Sequence, residues 1–331
     1  MPKLSVLGAG SWGTALAIAL APRFESTILW ARDPERAGEI SRLRENRRYL
    51  PGFLLPANVS VSGDICQAIA EACIILSVVP SRHLRNVVST AKPFVPADSI
   101  LVSATKGIEE GTFLRMSQVI RDSLGGGMRP VAVLSGPTFA KEIAAGEPAA
   151  VVIASEDIST AERIQQAFST PTLRFYTSTD MVGVELGAAL KNVIAIGAGI
   201  CQGLGLGSNS IAALVTRGLA EITRLAVTMG GQPRTLSGLA GLGDLVLTTT
   251  GDLSRNRFVG VQLGQGHKLG QILAGMTMVA EGVETCHAAF QLGIQKNADL
   301  PIIGKMYEVL YESKDPRQAI RELMERPLTS E

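Results

Sequence analysis

The sequence predicts an α/β chain in which a doubly wound, largely parallel sheet domain is followed by a mostly α-helical second domain. Three observations lead there. Short β-branched runs alternate with helical patterns up to Ser178. Several of those runs are continuously apolar, as in Cys73-Ile74-Ile75-Leu76-Ser77-Val78-Val79, which suits a strand buried on both faces. After Ser178 the strand runs stop and long helical patterns take over. The chain therefore divides into residues 1–178 and 179–331, in line with two domains at roughly 150 residues each.

Taken in order, strands are expected at 4–7, 27–31, 59–62, 73–79, 99–104, 130–134, 150–154 and 174–177, with helices at 12–21, 34–45, 64–71, 82–91 and 158–168 among them. The second part reads as helices at 181–203, 211–229, 283–292 and 302–312. Ser208-Asn209-Ser210 are expected to cap the second of these and Gly230-Gly231 to end it; Asp315-Pro316 should start a terminal helix running through Glu325. No repeat or low-complexity segment is evident, and residues 327–331 read as a frayed tail.

Lys plus Arg number 31 against 30 for Asp plus Glu, a net charge of +1, so no global field exists to hold a nucleic acid or an anionic membrane. Any charge recognition must be local. Four cysteines without C-x-x-C spacing, Cys66, Cys73, Cys201 and Cys286, read as reduced core residues of a cytosolic protein. The N-terminus shows no export signal and no apolar stretch reads as a membrane span, so a cytoplasmic chain without membrane insertion is expected. Three histidines leave little material for a metal site or a histidine-centred triad; no metal is expected, and proton chemistry should fall on other side chains. Glycine, at 35 of 331 residues, exceeds the average of roughly 7%.

Part of that excess has an immediate reason. Gly8-Ala9-Gly10-Ser11-Trp12-Gly13 follows the first strand and opens the first helix with G-x-G-x-x-G spacing. Gly8 allows the tight turn, Gly10 lets a pyrophosphate approach the backbone, and Gly13 lets the helix pack on its strand. The first domain thus reads as Rossmann-like and dinucleotide-binding. At the end of the second strand, Arg32 and Asp33 are adjacent. Asp33 precedes Pro34 and suits a helix N-cap, leaving Arg32 for a 2′-phosphate, so NADP(H) is favoured and NAD(H) stays possible.

Two lysines stand out. Lys106 lies at the carboxyl end of the 99–104 strand, where doubly wound sheets bind ligands; a solvent-facing loop lysine is the alternative. Lys191 sits in a helical pattern with Gly187, Ala188, Ile194 and Ala195 around it, an environment that would desolvate its ammonium and lower its pKa, unless the side chain reaches out to water. Farther on, Asp244 follows a glycine-rich turn, and Ser254-Arg255-Asn256-Arg257 offers a hydroxyl, two guanidinium groups and an amide, donors that suit a phosphomonoester; a solvated basic turn is the alternative. No G-x-S-x-G elbow or P-loop is present.

The glycine-rich turn is followed in order by Asn46-Arg47-Arg48-Tyr49-Leu50-Pro51-Gly52, Val79-Pro80-Ser81, Thr105-Lys106-Gly107-Ile108-Glu109, Ser135-Gly136-Pro137-Thr138-Phe139-Ala140-Lys141-Glu142, Leu190-Lys191-Asn192-Val193, Gly241-Leu242-Gly243-Asp244-Leu245, Ser254-Arg255-Asn256 and Ala280-Glu281-Gly282-Val283-Glu284-Thr285. In these stretches, from Gly8 to about Cys286, the chain resembles the bacterial-type NAD(P)-dependent glycerol-3-phosphate dehydrogenase family. The resemblance implies reversible reduction of dihydroxyacetone phosphate to sn-glycerol 3-phosphate for phospholipid synthesis by a cytoplasmic homodimer. Carried over by position, Lys191 is the implied general acid/base with Lys106 and Asp244 beside it. Gly136, Thr138, Ser254, Arg255 and Asn256 are implied substrate contacts. Ser11, Trp12, Arg32, Tyr49, Lys106, Ala140, Arg255, Val279 and Glu281 are implied cofactor contacts, in addition to Gly8, Gly10 and Gly13. Two other readings remain at this point: a nicotinamide-binding redox sensor without chemistry, and a two-domain reductase of another small hydroxy acid.

Overall fold

The computed structural model describes residues 2–127, 129–276 and 280–328. In the first half, β1 (Lys3–Leu7), α1 (Ser11–Leu20), β2 (Ser26–Trp30), α2 (Pro34–Leu43), β3 (Val59–Ser62), α3 (Ile65–Ile69), β4 (Ile74–Ser77), α4 (Ser81–Ala91), β5 (Ile100–Ser103), α5 (Met116–Ser123), β6 (Val131–Ser135), α6 (Ala140–Ala145), β7 (Ala149–Ala154), α7 (Ile158–Phe168) and β8 (Leu173–Ser178) follow one another. The strands form one sheet in the order β3-β2-β1-β4-β5-β6-β7-β8. Every pairing is parallel except β6 with β7. β4 and β5 are buried at every residue, as their unbroken apolar runs require. Chain order reverses between β1 and β4, so a crevice opens at their carboxyl ends.

The remainder is helical: α8 (Met181–Gly203), α9 (Ser208–Thr228), α10 (Pro233–Leu236), a π-helical turn at Leu239–Gly243, α11 (Asp244–Thr250), α12 (Arg255–Gly264), α13 (Leu269–Ala274), α14 (Glu281–Gln295), α15 (Pro301–Tyr311) and α16 (Pro316–Met324). The 181–203 expectation coincides with α8, whose composition alone would let it cross a membrane; its residues 183–201 are instead buried inside the protein. Some local expectations fail. The N-cap of α9 is Gly207, without a side-chain cap bond, so Ser208, Asn209 and Ser210 form its first turn. Helix α2 stops at Leu43 because Arg44 turns left-handed, at φ 56°. Only Cys201 and Cys286 are core residues; Cys66 and Cys73 are half-buried beside shallower packing.

Glycines make the tightest helix contact. A Cβ at Gly260 on α12 would lie 1.9 Å from the Ile196 carbonyl oxygen of α8, and one at Gly199 on α8 would lie 2.1 Å from the Arg257 carbonyl oxygen. Gly203 and Gly264 continue the seam, with prospective Cβ contacts of 2.3 Å to the Val261 oxygen and 2.6 Å to the Ile200 oxygen. The two backbones therefore touch, and the start of α12 is drawn against the middle of α8. Gly260→Ala should force them apart and destabilise the protein by about 1–3 kcal/mol. Urea unfolding measures it, and an unchanged midpoint would contradict the close crossing.

Candidate active site

A cleft of about 750 Å³ runs from the carboxyl ends of β1, β2, β4 and β5 to the start of α12 and the middle of α8. Its floor at one end is the glycine-rich turn. Gly8 adopts φ +120°, and a Cβ there would strike the Val78 carbonyl oxygen at 2.9 Å, so only glycine fits the turn. Gly10 is the N-cap of α1, carries no side-chain cap, and has no heavy atom within 4 Å of a prospective Cβ. The first N–H groups of α1 are thus open to an anion. Gly13 is buried instead, its prospective Cβ 1.9 Å from the Gly8 oxygen, so it serves helix-to-strand packing and does not line the cleft. Asn46, buried, donates through Nδ2 to the Ala9 carbonyl oxygen at 3.0 Å and to Thr14 Oγ1 at 2.8 Å, which fixes the turn from the following loop.

Arg32 and Tyr49 line the same end, joined by Arg36, whose Nη1 donates to the Tyr49 hydroxyl at 3.0 Å. Asp33 accepts from the Glu35 N–H at 3.1 Å and so caps α2, while Arg32 stays exposed. Arg36 could have been found from its place in the first turn of α2, the helix that Asp33 caps. Ser11, Trp12, Thr138 and Ala140 also line the cleft. Trp12 Nε1 is buried without a hydrogen-bond partner. Gly136 is buried against β7 and does not reach the cleft surface, because a Cβ there would lie 2.9 Å from the Val151 Cα. Val279 lies outside the described residues.

At the other end, two helices and one sheet loop converge on a single carboxylate. Asp244, the first residue of α11, is wholly inaccessible. Its Oδ2 accepts from Lys106 Nζ at 2.8 Å and its Oδ1 accepts from Lys191 Nζ. Lys191 also donates to Thr248 Oγ1 at 2.8 Å, and that hydroxyl donates to the Asp244 carbonyl oxygen one turn back, at 2.6 Å. Lys191 is 4% exposed, so it does not reach out to water. Asp244 sits behind the two ammonium groups and presents nothing to the cleft; Lys106 and Lys191 do. Burial lowers the Lys191 pKa to about 7, a shift the Asp244 carboxylate opposes and the Lys106 ammonium reinforces. With Lys191 protonated, the cluster carries two positive charges against one negative, an environment that favours anions.

The 254–257 segment is not a basic turn but the start of α12. Ser254 is the N-cap, accepting from the Arg257 N–H at 3.2 Å. Arg257 turns away to Asp252 at 2.8 Å, so one guanidinium of the two, that of Arg255, lines the cleft. Asn256 accepts through Oδ1 from the Gly282 N–H at 2.9 Å, tying α12 to α14. Glu281 borders the cleft; burial raises its pKa, while the cations Arg255, Lys106 and Lys191 pull it down. No cluster of three or more His, Cys, Asp or Glu able to hold a metal occurs among the described residues.

Asp244→Asn leaves two ammonium groups facing each other without a carboxylate. The expected loss in urea unfolding at pH 7 is about 3–5 kcal/mol. It should shrink at higher pH, where Lys191 sheds its proton; a loss independent of pH would contradict the pairing.

The family model for the N-terminus of NAD-dependent glycerol-3-phosphate dehydrogenase matches residues 3–161, and that for the C-terminus matches residues 180–321. The glycerol-3-phosphate dehydrogenase (NAD(P)+) of Koribacter versatilis is 52% identical over 334 residues, covering 100% of this chain and 99% of the relative. That of Geobacter sp. strain M21 is 50% identical, covering 99% and 98%. The crystal structure of glycerol-3-phosphate dehydrogenase from Coxiella burnetii superposes with a TM-score of 0.94 at 38% identity, covering 98% of this chain and 99% of that one.

Proposed function

The chain belongs to the NAD-dependent glycerol-3-phosphate dehydrogenase family, and on that premise we propose how its residues interconvert dihydroxyacetone phosphate and sn-glycerol 3-phosphate. It is an NAD(P)-dependent oxidoreductase. The single observation that carries the mechanism is the pair of ammonium groups on Asp244, beside a cleft that begins at a glycine-rich helix N-terminus.

The glycine-rich turn, with its open Gly10 and uncapped α1, suits the pyrophosphate of a dinucleotide. A bound nicotinamide supplies or takes up the hydride. Reduction of a ketone leaves negative charge on its oxygen, which needs a proton and a positive neighbour. Lys191 holds the proton to be donated, and Lys106 stabilises the developing oxyanion. Asp244 is a positioning residue, keeping both ammonium groups at one place. In the alcohol-oxidising direction the same Lys191, neutral, takes the hydroxyl proton. Arg255, on a helix start beside the N-cap Ser254, is the guanidinium that meets the substrate phosphate. Arg32, exposed next to a capping Asp33, favours NADPH by pairing with the 2′-phosphate. A homodimer working in the cytoplasm for phospholipid synthesis completes the reading and rests on the resemblance alone.

The direct test is the loss of NADPH absorbance on adding dihydroxyacetone phosphate, beside unphosphorylated dihydroxyacetone. Equal rates would remove the phosphate contact, a rate with neither but with a keto acid would favour the hydroxy-acid reductase, and no rate with any ketone would favour a redox sensor. Lys191→Ala should lower turnover about 10²–10⁴-fold with NADPH binding nearly unchanged. In the unsubstituted enzyme, kcat/KM for ketone reduction requires protonated Lys191, so it should be full at acid pH and fall as pH rises through about 7, while alcohol oxidation rises across the same range. For Arg32→Ala, KM for NADPH should increase about tenfold or more and KM for NADH hardly at all; a constant ratio would take Arg32 away from the 2′-phosphate.

A further inference from the structure

The two segments that meet at Asp244 meet a second time, away from the cleft. Helix α8 carries Glu185 six residues before Lys191, and the loop that begins at Lys106 ends at Arg115, next to α5. Glu185 and Arg115 are 7% and 9% exposed. Arg115 Nη1 donates to Glu185 Oε2. The Ser117 N–H donates to Oε1 at 2.7 Å and the Ser117 hydroxyl donates to Oε2 at 2.7 Å. A carboxylate on α8 thereby fills the N-terminus of α5, 68 residues away in sequence. The loop between is closed on itself by an antiparallel bridge of Ile108 with Arg115. It is held to α4 by Arg85, which donates to both oxygens of Glu109 at 2.8 Å. Lys106, two residues before that bridge, has little freedom of its own.

Lys106 and Lys191 share one carboxylate and repel each other. Asp244 offers each of them one oxygen, so at the cleft the Lys106 side chain holds its loop by one ion pair, against the repulsion of the Lys191 ammonium. A buried ion pair contributes little net stability, but it fixes registry between the elements that carry it. We propose that the Arg115–Glu185 pair is a positioning clasp for the reaction, holding the Lys106 loop on α8 so that both ammonium groups stay on Asp244. The proposal rests on the reading of Lys191 as proton donor. The charged groups facing the Lys191 ammonium are Asp244 of α11, Lys106 of the loop after β5 and Glu281 of α14, with Arg255 of α12 facing Glu281. Of these, the clasp moves Lys106. Releasing it removes a repelling neighbour, so Lys191 should hold its proton to higher pH.

The test compares the unsubstituted enzyme with Glu185→Gln and with the double variant Arg115→Met, Glu185→Gln, which leaves no single charge buried. The readings are the pH profile of kcat/KM for ketone reduction, the NADPH dissociation constant and Tm. The clasp predicts that the pH of half-maximal rate moves up by about one unit in both variants. It also predicts kcat down about tenfold or more, with NADPH binding within about twofold. Loss of Tm and turnover with an unmoved pH profile, or absence of folded protein in both variants, overturns the clasp and makes the pair a stability element. A profile without a fall near neutral pH in the unsubstituted enzyme overturns the assignment of Lys191 instead, and the clasp with it.

Discussion

One carboxylate shared by two ammonium groups governs the design of this protein. Asp244 has no access to solvent and spends both oxygens on Lys106 and Lys191. Burying a carboxylate is costly unless it is paired and hydrogen-bonded, and here that requirement ties the sheet domain to the helical one, since Lys106 follows β5 while Lys191 and Asp244 lie on α8 and α11. The pairing leaves one positive charge in excess at the end of a cleft. That charge suits both a phosphorylated substrate and a developing oxyanion. A near-neutral chain thus concentrates its recognition in a few groups and not in its overall field.

The rest of the fold brings three remote segments to that carboxylate. The switch of strand direction between β1 and β4 puts the glycine-rich turn and the Lys106 loop on one edge. The glycine seam between α8 and α12 lets Arg255 and Asn256 approach the Lys191 helix closely enough to share one wall. The Asn256 bond to the Gly282 N–H then fixes α14, and with it Glu281, at the border. Each contact uses groups that would cost stability if left unpaired, so site geometry and fold stability rest on the same bonds.

Periodicity made the parallel strands and the long helices α8, α9 and α15 legible, because each buries a continuous or regularly spaced apolar face. It did not reveal α5, α6 or α12. Helix α6 has six residues and buries only Ile143, and α12 buries Asn256 and Gly260 where the pattern seeks large apolar side chains. Lys191 was conspicuous as a cation among small and apolar neighbours. Asp244 stood out by its glycine-rich turn, but its place beside Lys191 came only from the resemblance, since it is 53 residues away and on another helix. Thr248 could have been suspected from its place one helical turn after Asp244. The pairing of Arg115 with Glu185 had no local signal at all. Gly13 packs helix on strand, as its place in the motif requires, whereas Gly136, implied as a substrate contact, is packed against β7, because a motif records where glycine is needed without saying whether a ligand or the backbone itself needs it.

The apolar character of α8 has a consequence for synthesis. The helix is completed at Gly203, whereas α14, one of the helices that cover it, is completed only at Gln295. At translation rates of about 5–20 residues per second, that interval lasts roughly 5–20 s. At its start, before α9, α11 and α12 follow, a segment apolar enough to cross a bilayer has only the finished sheet domain beside it. The N-terminal half therefore acts as a shelter for the emerging helix before it acts in catalysis, and a slow or defective sheet would first show itself as aggregation of newly made chains.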